Sequence, residues 1–139
     1  MLLIGYKNTV EQAVPALGLI DFGDIYHTYG LTNRFGSTIF TSTGTIQTLS
    51  CRGFYHVTAT VTYTAPAAGD VTLQLIEDNN PVDGILVTQT VTTADTETNT
   101  AVLDFYVLVR VVNPKTISIR NTGVAIDITN TILNITKEV

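Results

Sequence analysis

The residues of this sequence that could do chemistry are few and scattered. His56 sits among threonines, with no second His, Cys or carboxylate at metal-ligand spacing, so it reads as a surface or interface histidine. Glu77-Asp78-Asn79-Asn80 and Asp83 supply oxygens that calcium would accept. The spacing is not that of a calcium loop, however, and Asp-Asn-Asn-Pro is also what a β-turn takes. Cys51 precedes Arg52, a neighbour that can lower a thiol pKa, but no catalytic histidine accompanies it and inert packing is the expectation. Ser37, Ser42, Ser50 and Ser118 lie outside any nucleophile-elbow pattern, and there is no glycine-rich phosphate loop. The expectation is a non-enzyme without cofactor or metal.

The elements that would position these residues are strands. Thr, Val and Ile number 25, 15 and 13 of 139 residues, and this β-branched excess favours a pleated surface over helix. Charged residues are 14% and hydrophobic ones 45%, which excludes a disordered chain. A formal charge of −5 with seven basic residues argues against a nucleic-acid partner. No apolar run reaches the roughly 18–20 residues of a membrane helix, so no membrane partner is expected. A single cysteine precludes an intrachain disulfide. The start, MLLIGYKNTV, has a short apolar stretch with its lysine after it, unlike a signal peptide, and reads as a mature N-terminus.

Residues 1–25 lack a clean period and carry Pro15, Gly18 and Gly23, so they read as an N-terminal arm with one short strand at 18–22, lying across its own domain or docked on a neighbouring subunit. Residues 26–139 read as the globular domain. Within it, 37–41 and 45–49 form a hairpin about a turn at 42–44. Residues 53–64 alternate, with Tyr55, Val57, Ala59, Val61 and Tyr63 on the core face. Residues 71–77 and 85–92 follow, with Ile76 an apolar residue on a polar face. Residues 101–112 are apolar on both faces, as in a central or interface strand. Residues 116–120 and 124–135 complete the set, the last changing phase so that a bulge or bend is expected near 130–131. Eight to ten short strands with frequent turns predict an all-β, two-sheet antiparallel jelly-roll sandwich.

Gly53-Phe54-Tyr55-His56-Val57 resembles the strand opening of complement-subcomponent-q and tumour-necrosis-factor-like jelly rolls. Leu73-Gln74-Leu75-Ile76-Glu77-Asp78-Asn79 with Pro81-Val82-Asp83-Gly84 resembles their next strand and turn, and the resemblance spans about residues 45–136. Val14-Pro15-Ala16-Leu17-Gly18 and Ile20 also resemble the arm of small bacteriophage jelly-roll proteins. The resemblance implies a homotrimer in a virion, assembled in the host cytoplasm, decorating the head or forming a head fibre. Its partners would be itself and other virion proteins such as the major capsid protein. The alternative it implies is a receptor- or carbohydrate-binding adhesin module at a tail tip. On this reading the arm residues Leu2, Leu3, Ile4, Tyr6, Val10 and Val14 attach the protein to the particle. Ile76, Tyr106 and Leu108 would meet a neighbouring subunit.

Overall fold

The computed structural model describes residues 2–29, 40–110 and 113–138. These residues form eleven strands and no helix. They are β1 (Leu2–Asn8), β2 (Gln12–Val14), β3 (Asp24–Tyr29), β4 (Phe40–Ser42), β5 (Gln47–Leu49), β6 (Gly53–Thr64), β7 (Gly69–Glu77), β8 (Asn80–Val91), β9 (Asn99–Val109), β10 (Lys115–Asn121) and β11 (Ile126–Lys137). One sheet runs β3-β1-β11-β6-β9, with β2 paired to β11, and the other runs β4-β5-β10-β7-β8. Every ladder is antiparallel, and the two inner faces share one core. This is the expected two-sheet jelly-roll sandwich. The first residues of the expected strand at 37–41, and the end of the one at 101–112, lie outside the described residues.

Period-two patterning sets the core. Tyr55, Val57, Ala59, Val61 and Tyr63 are all buried, as are Ala101, Leu103, Phe105, Val107 and Val109 across the ladder. Register then extends these layers over four strands. Ile4 lies opposite Ile135, Ile135 opposite Val57, and Val57 opposite Phe105. Tyr6, Leu133, Ala59 and Leu103 make the parallel row. The phase change in β11 is met by a bulge: Ile128 pairs with Tyr63 and Asn130 with Thr62, leaving Thr129 over. Ile126 and Ile128 therefore face the core on one side of it, and Leu133 and Ile135 on the other.

Three expectations are corrected here. Residues 1–25 are not an arm. β1 lies between β11 and β3, and Ile4, Tyr6 and Val14 are core residues at 1%, 2% and 4% exposure. Their burial removes them from any attachment surface; Leu2 and Leu3 are half-buried, and only Val10 stands well exposed. Residues 18–22 do not form a strand but make a single bridge, Leu19 to Arg120. The Ile20 N–H donates to the Ile119 carbonyl at 3.0 Å, and the Ile20 and Phe22 side chains are fully buried. Ile76 is also removed from any interface. A register shift between Gln74 and Ile76 interrupts β7, and Ile76 is 2% exposed within its own chain.

The acidic run is a hairpin turn. Asp78 and Asn79 both have positive φ, 51° and 66°, as a two-residue type I′ turn demands. Glu77 pairs with Lys115, and the Asp78 carboxylate accepts the Thr116 N–H at 2.9 Å. Among the described residues no group of three His, Cys, Asp or Glu side chains is placed to hold a metal.

Burial makes the core alkali-sensitive. It pushes the Tyr6 and Tyr55 hydroxyls up to about 12. Their contribution to stability is complete below about pH 10, where unfolded tyrosine is still protonated. It is lost as pH rises toward 12, because only the unfolded chain releases those protons. At 1.36 kcal/mol per pH unit the loss is on the order of 2 kcal/mol for each ring. Urea midpoints should therefore fall steeply from pH 10 to 12. Tyr6→Phe should flatten that fall; an unchanged slope would refute the assignment.

Candidate functional site

The outward face of the β3-β1-β11-β6-β9 sheet carries the candidate site. Opposite each inward core pair of β6 and β9 lies an outward pair: Phe54 with Leu108, His56 with Tyr106, Thr58 with Asp104, Thr60 with Val102. Phe54, Val102, Tyr106 and Leu108 are large apolar side chains that the chain leaves exposed, between 39% and 51%. Among the described residues, β9 is the last strand on this side of its sheet. Of the two expectations for this strand, central or interface, the central one fails: β9 is terminal in its sheet, and its second apolar face is exposed.

The rings on this face are ordered. Tyr106 stacks on His56, with centroids 4.6 Å apart and planes within 17°. It also stacks on Phe54 at 5.1 Å and 21°. The geometry follows from register, since His56 is directly opposite Tyr106 and Phe54 is diagonal to it. His56 is held on both sides: Nε2 bonds the Asp104 carboxylate, and Nδ1 lies 3.8 Å from Glu138 Oε1. The Glu138 N–H donates to the Phe54 carbonyl at 2.8 Å, fixing that residue beside β6.

Farther along the strands the face becomes polar. Thr62 and Thr100 share a hydrogen bond at 3.3 Å. On the β1 side, Tyr26 crosses Gly5 and donates its hydroxyl proton to Asn134 Oδ1 at 3.1 Å. Gly5 is needed there, because a Cβ would come within 2.6 Å of the Tyr26 ring. The face therefore has an aromatic half around Tyr106 and a threonine half around Thr62.

Of the residues singled out in the sequence, Tyr106 and Leu108 lie together on this face, with His56 beside them. Ile76 is on the other sheet, and Ile4, Tyr6 and Val14 are inside. Phe54, Asp104 and Glu138 belong to the site although the sequence reading did not select them. Phe54 was findable, as it is the only large apolar side chain in the outward set of 53–64.

In architecture the protein is a jelly roll, two antiparallel sheets with one outer face left open. Its fold is that of the TNF and C1q proteins. Eiger TNF from S. frugiperda superposes with a TM-score of 0.66 at 13% identity, covering 99% of this chain and 92% of that one. The globular domain of zebrafish complement 1qA gives 0.61 at 10%, covering 100% and 98%. PRD1 vertex protein P5, a phage protein, gives 0.56 at 18%, covering 96% and 93%. No protein-family model and no curated protein matches the sequence.

Proposed function

We propose that this chain is a structural virion protein, a bacteriophage head-decoration or head-fibre jelly roll that acts by binding, without a chemical step. It associates as a homotrimer through the aromatic half of the open sheet face. The observation that carries this reading is the Phe54–Tyr106–His56 stack with Leu108 beside it, an ordered apolar surface left open by its own chain. Covering it with a second copy suits its chemistry. The polar group inside the patch, His56, already has Asp104 and Glu138 as partners, so burial strands no unpaired imidazole. Closed rotational symmetry limits such self-contacts to a finite ring. The likeness to PRD1 vertex protein P5 supports the virion setting.

Attachment to the particle falls to surface elements rather than to β1. Among the described residues, Val10 and Leu17 are the most exposed large apolar side chains, 73% and 69%, and both lie in turns of the N-terminal region. Light scattering of the purified protein should give three times the 15.0 kDa chain mass. The same protein should co-sediment with particles that lack it. A 15.0 kDa species at micromolar concentration would overturn the trimer, and failure to sediment with any such particle would overturn the virion role.

A further inference from the structure

One end of the open face is ringed by positive charge. The chain has seven basic residues against twelve acidic ones, yet Arg52, Arg110 and Lys137 line one cleft. They come from separate elements. Arg52 precedes β6, Arg110 follows β9 and Lys137 closes β11. Pairing of Gly53 with Val109, and of Tyr55 with Lys137, brings the three to the same end of the sheet. The cleft measures about 510 Å³, and Phe54, Leu108, Gly53 and Val109 complete its lining. That volume is in the range of small-molecule sites, which pair an apolar floor with a few convergent polar groups.

The charges of the two arginines are not spent within the chain. Among the described residues, no carboxylate pairs with Arg52 or Arg110. Glu138, which follows Lys137 in sequence, is turned away: its carboxylate faces His56 and its N–H is bonded to the Phe54 carbonyl. In a chain of net charge −5, a pair of unneutralised guanidinium groups above an aromatic floor is a recognition surface for an oxyanion.

We infer that this cleft binds an organic oxyanion, a carboxylate or phosphate monoester joined to a flat apolar body. The oxyanion sits between the guanidinium groups of Arg52 and Arg110. The body lies on Phe54 and Leu108. Every residue of the site comes from one copy and the site does not rest on the virion setting, but its floor of Phe54 and Leu108 is also part of the surface that the proposed trimer covers, so a bound ligand displaces the neighbouring copy.

The test is titration of the intact protein with phenyl phosphate, benzoate, phenol and inorganic phosphate, followed by amide chemical-shift changes and calorimetry. Phenyl phosphate or benzoate should shift residues 52–54 and 108–110, and the stronger of the two identifies the anion class. Phenol and inorganic phosphate should each bind at least tenfold more weakly. Arg52→Gln/Arg110→Gln should lose at least tenfold in affinity while keeping its melting temperature and its mass in solution, since both side chains are exposed. Raising the salt concentration should weaken binding to the unaltered protein, an independent reading that needs no variant. Equal binding of phenol, unchanged affinity in the double variant, or shifts confined to other residues would each overturn the site. Cleft binding by a protein that stays at three chain masses when saturated would place the self-contact away from Phe54 and Leu108 and count against the self-association reading alone.

Discussion

A chain beginning at Pro15 should fail to fold. Removing residues 1–14 takes away β1 and β2, and with them Ile4, Tyr6 and Val14 from the core. Burial of each such side chain is worth roughly 1.5–3 kcal/mol, so the three together contribute about 5–9 kcal/mol. Domains of this size are stable by only about 5–15 kcal/mol. The loss is larger than the side chains alone suggest, because β1 is interior to its sheet. Its seven-residue ladder with β11 disappears, and β3 is left without the strand it pairs with. Circular dichroism and a thermal melt of the truncated protein decide the matter. The expected outcome is no cooperative transition; a folded truncation with the full-length midpoint would show the segment to be dispensable. Ile4→Ala grades the effect, with an expected loss of about 2–5 kcal/mol, whereas Val10→Ala at an exposed turn should change little.

The reason this segment misleads as sequence is local. Leu2, Leu3 and Ile4 are three apolar residues in a row, and Gly5 follows, so no alternation is visible. Gly5 occupies an outward position that Tyr26 covers, a fact that no pattern within residues 1–14 contains. The partners of β1 lie at 131–137, across nearly the whole chain. By contrast, residues 53–64 alternate without interruption, and their bounds read from sequence are those of β6. The bulge in β11 was legible for the same reason, since a change of phase in a period-two pattern has one structural remedy. Ile76 is 2% exposed beside a register shift in the β7–β8 ladder, and neither its burial nor that irregularity leaves a trace in the periodicity of residues 71–77.

The site was half legible. Alternation alone separates Phe105 and Val107 from Tyr106 and Leu108, and the structure keeps that division. What alternation cannot supply is register between β6 and β9, and the stack depends on it. His56 meets Tyr106 and Asp104 only because Thr58 is opposite Asp104. A shift of two residues would keep every core side chain inward and abolish the stack. The cationic cleft needs still more, the common ending of three strands that are far apart in sequence.

Leu108→Glu should convert the trimer into a monomer and leave the fold intact. Leu108 is 48% exposed and stands on the open face, while its neighbours Val107 and Val109, each 1% exposed, hold β9 to the core. The substitution therefore costs the isolated chain little. In the assembly it replaces the apolar contact of Leu108 with a carboxylate that must leave water beside Phe54 and Tyr106; Arg52 and Arg110 line the same cleft and can pair with it, but pairing does not restore the apolar contact. Losing that contact and desolvating the charge costs about 2–4 kcal/mol, a factor of roughly thirty or more in each subunit contact. Light scattering should then give 15.0 kDa at concentrations where the unaltered protein is trimeric. Leu86 provides the control. It is 46% exposed, much like Leu108, but it lies on β8 in the opposite sheet. Leu86→Glu should leave the mass unchanged. If both variants stay trimeric with unaltered melting temperatures, the contact lies elsewhere; if Leu86→Glu alone dissociates, it lies on the β8 sheet.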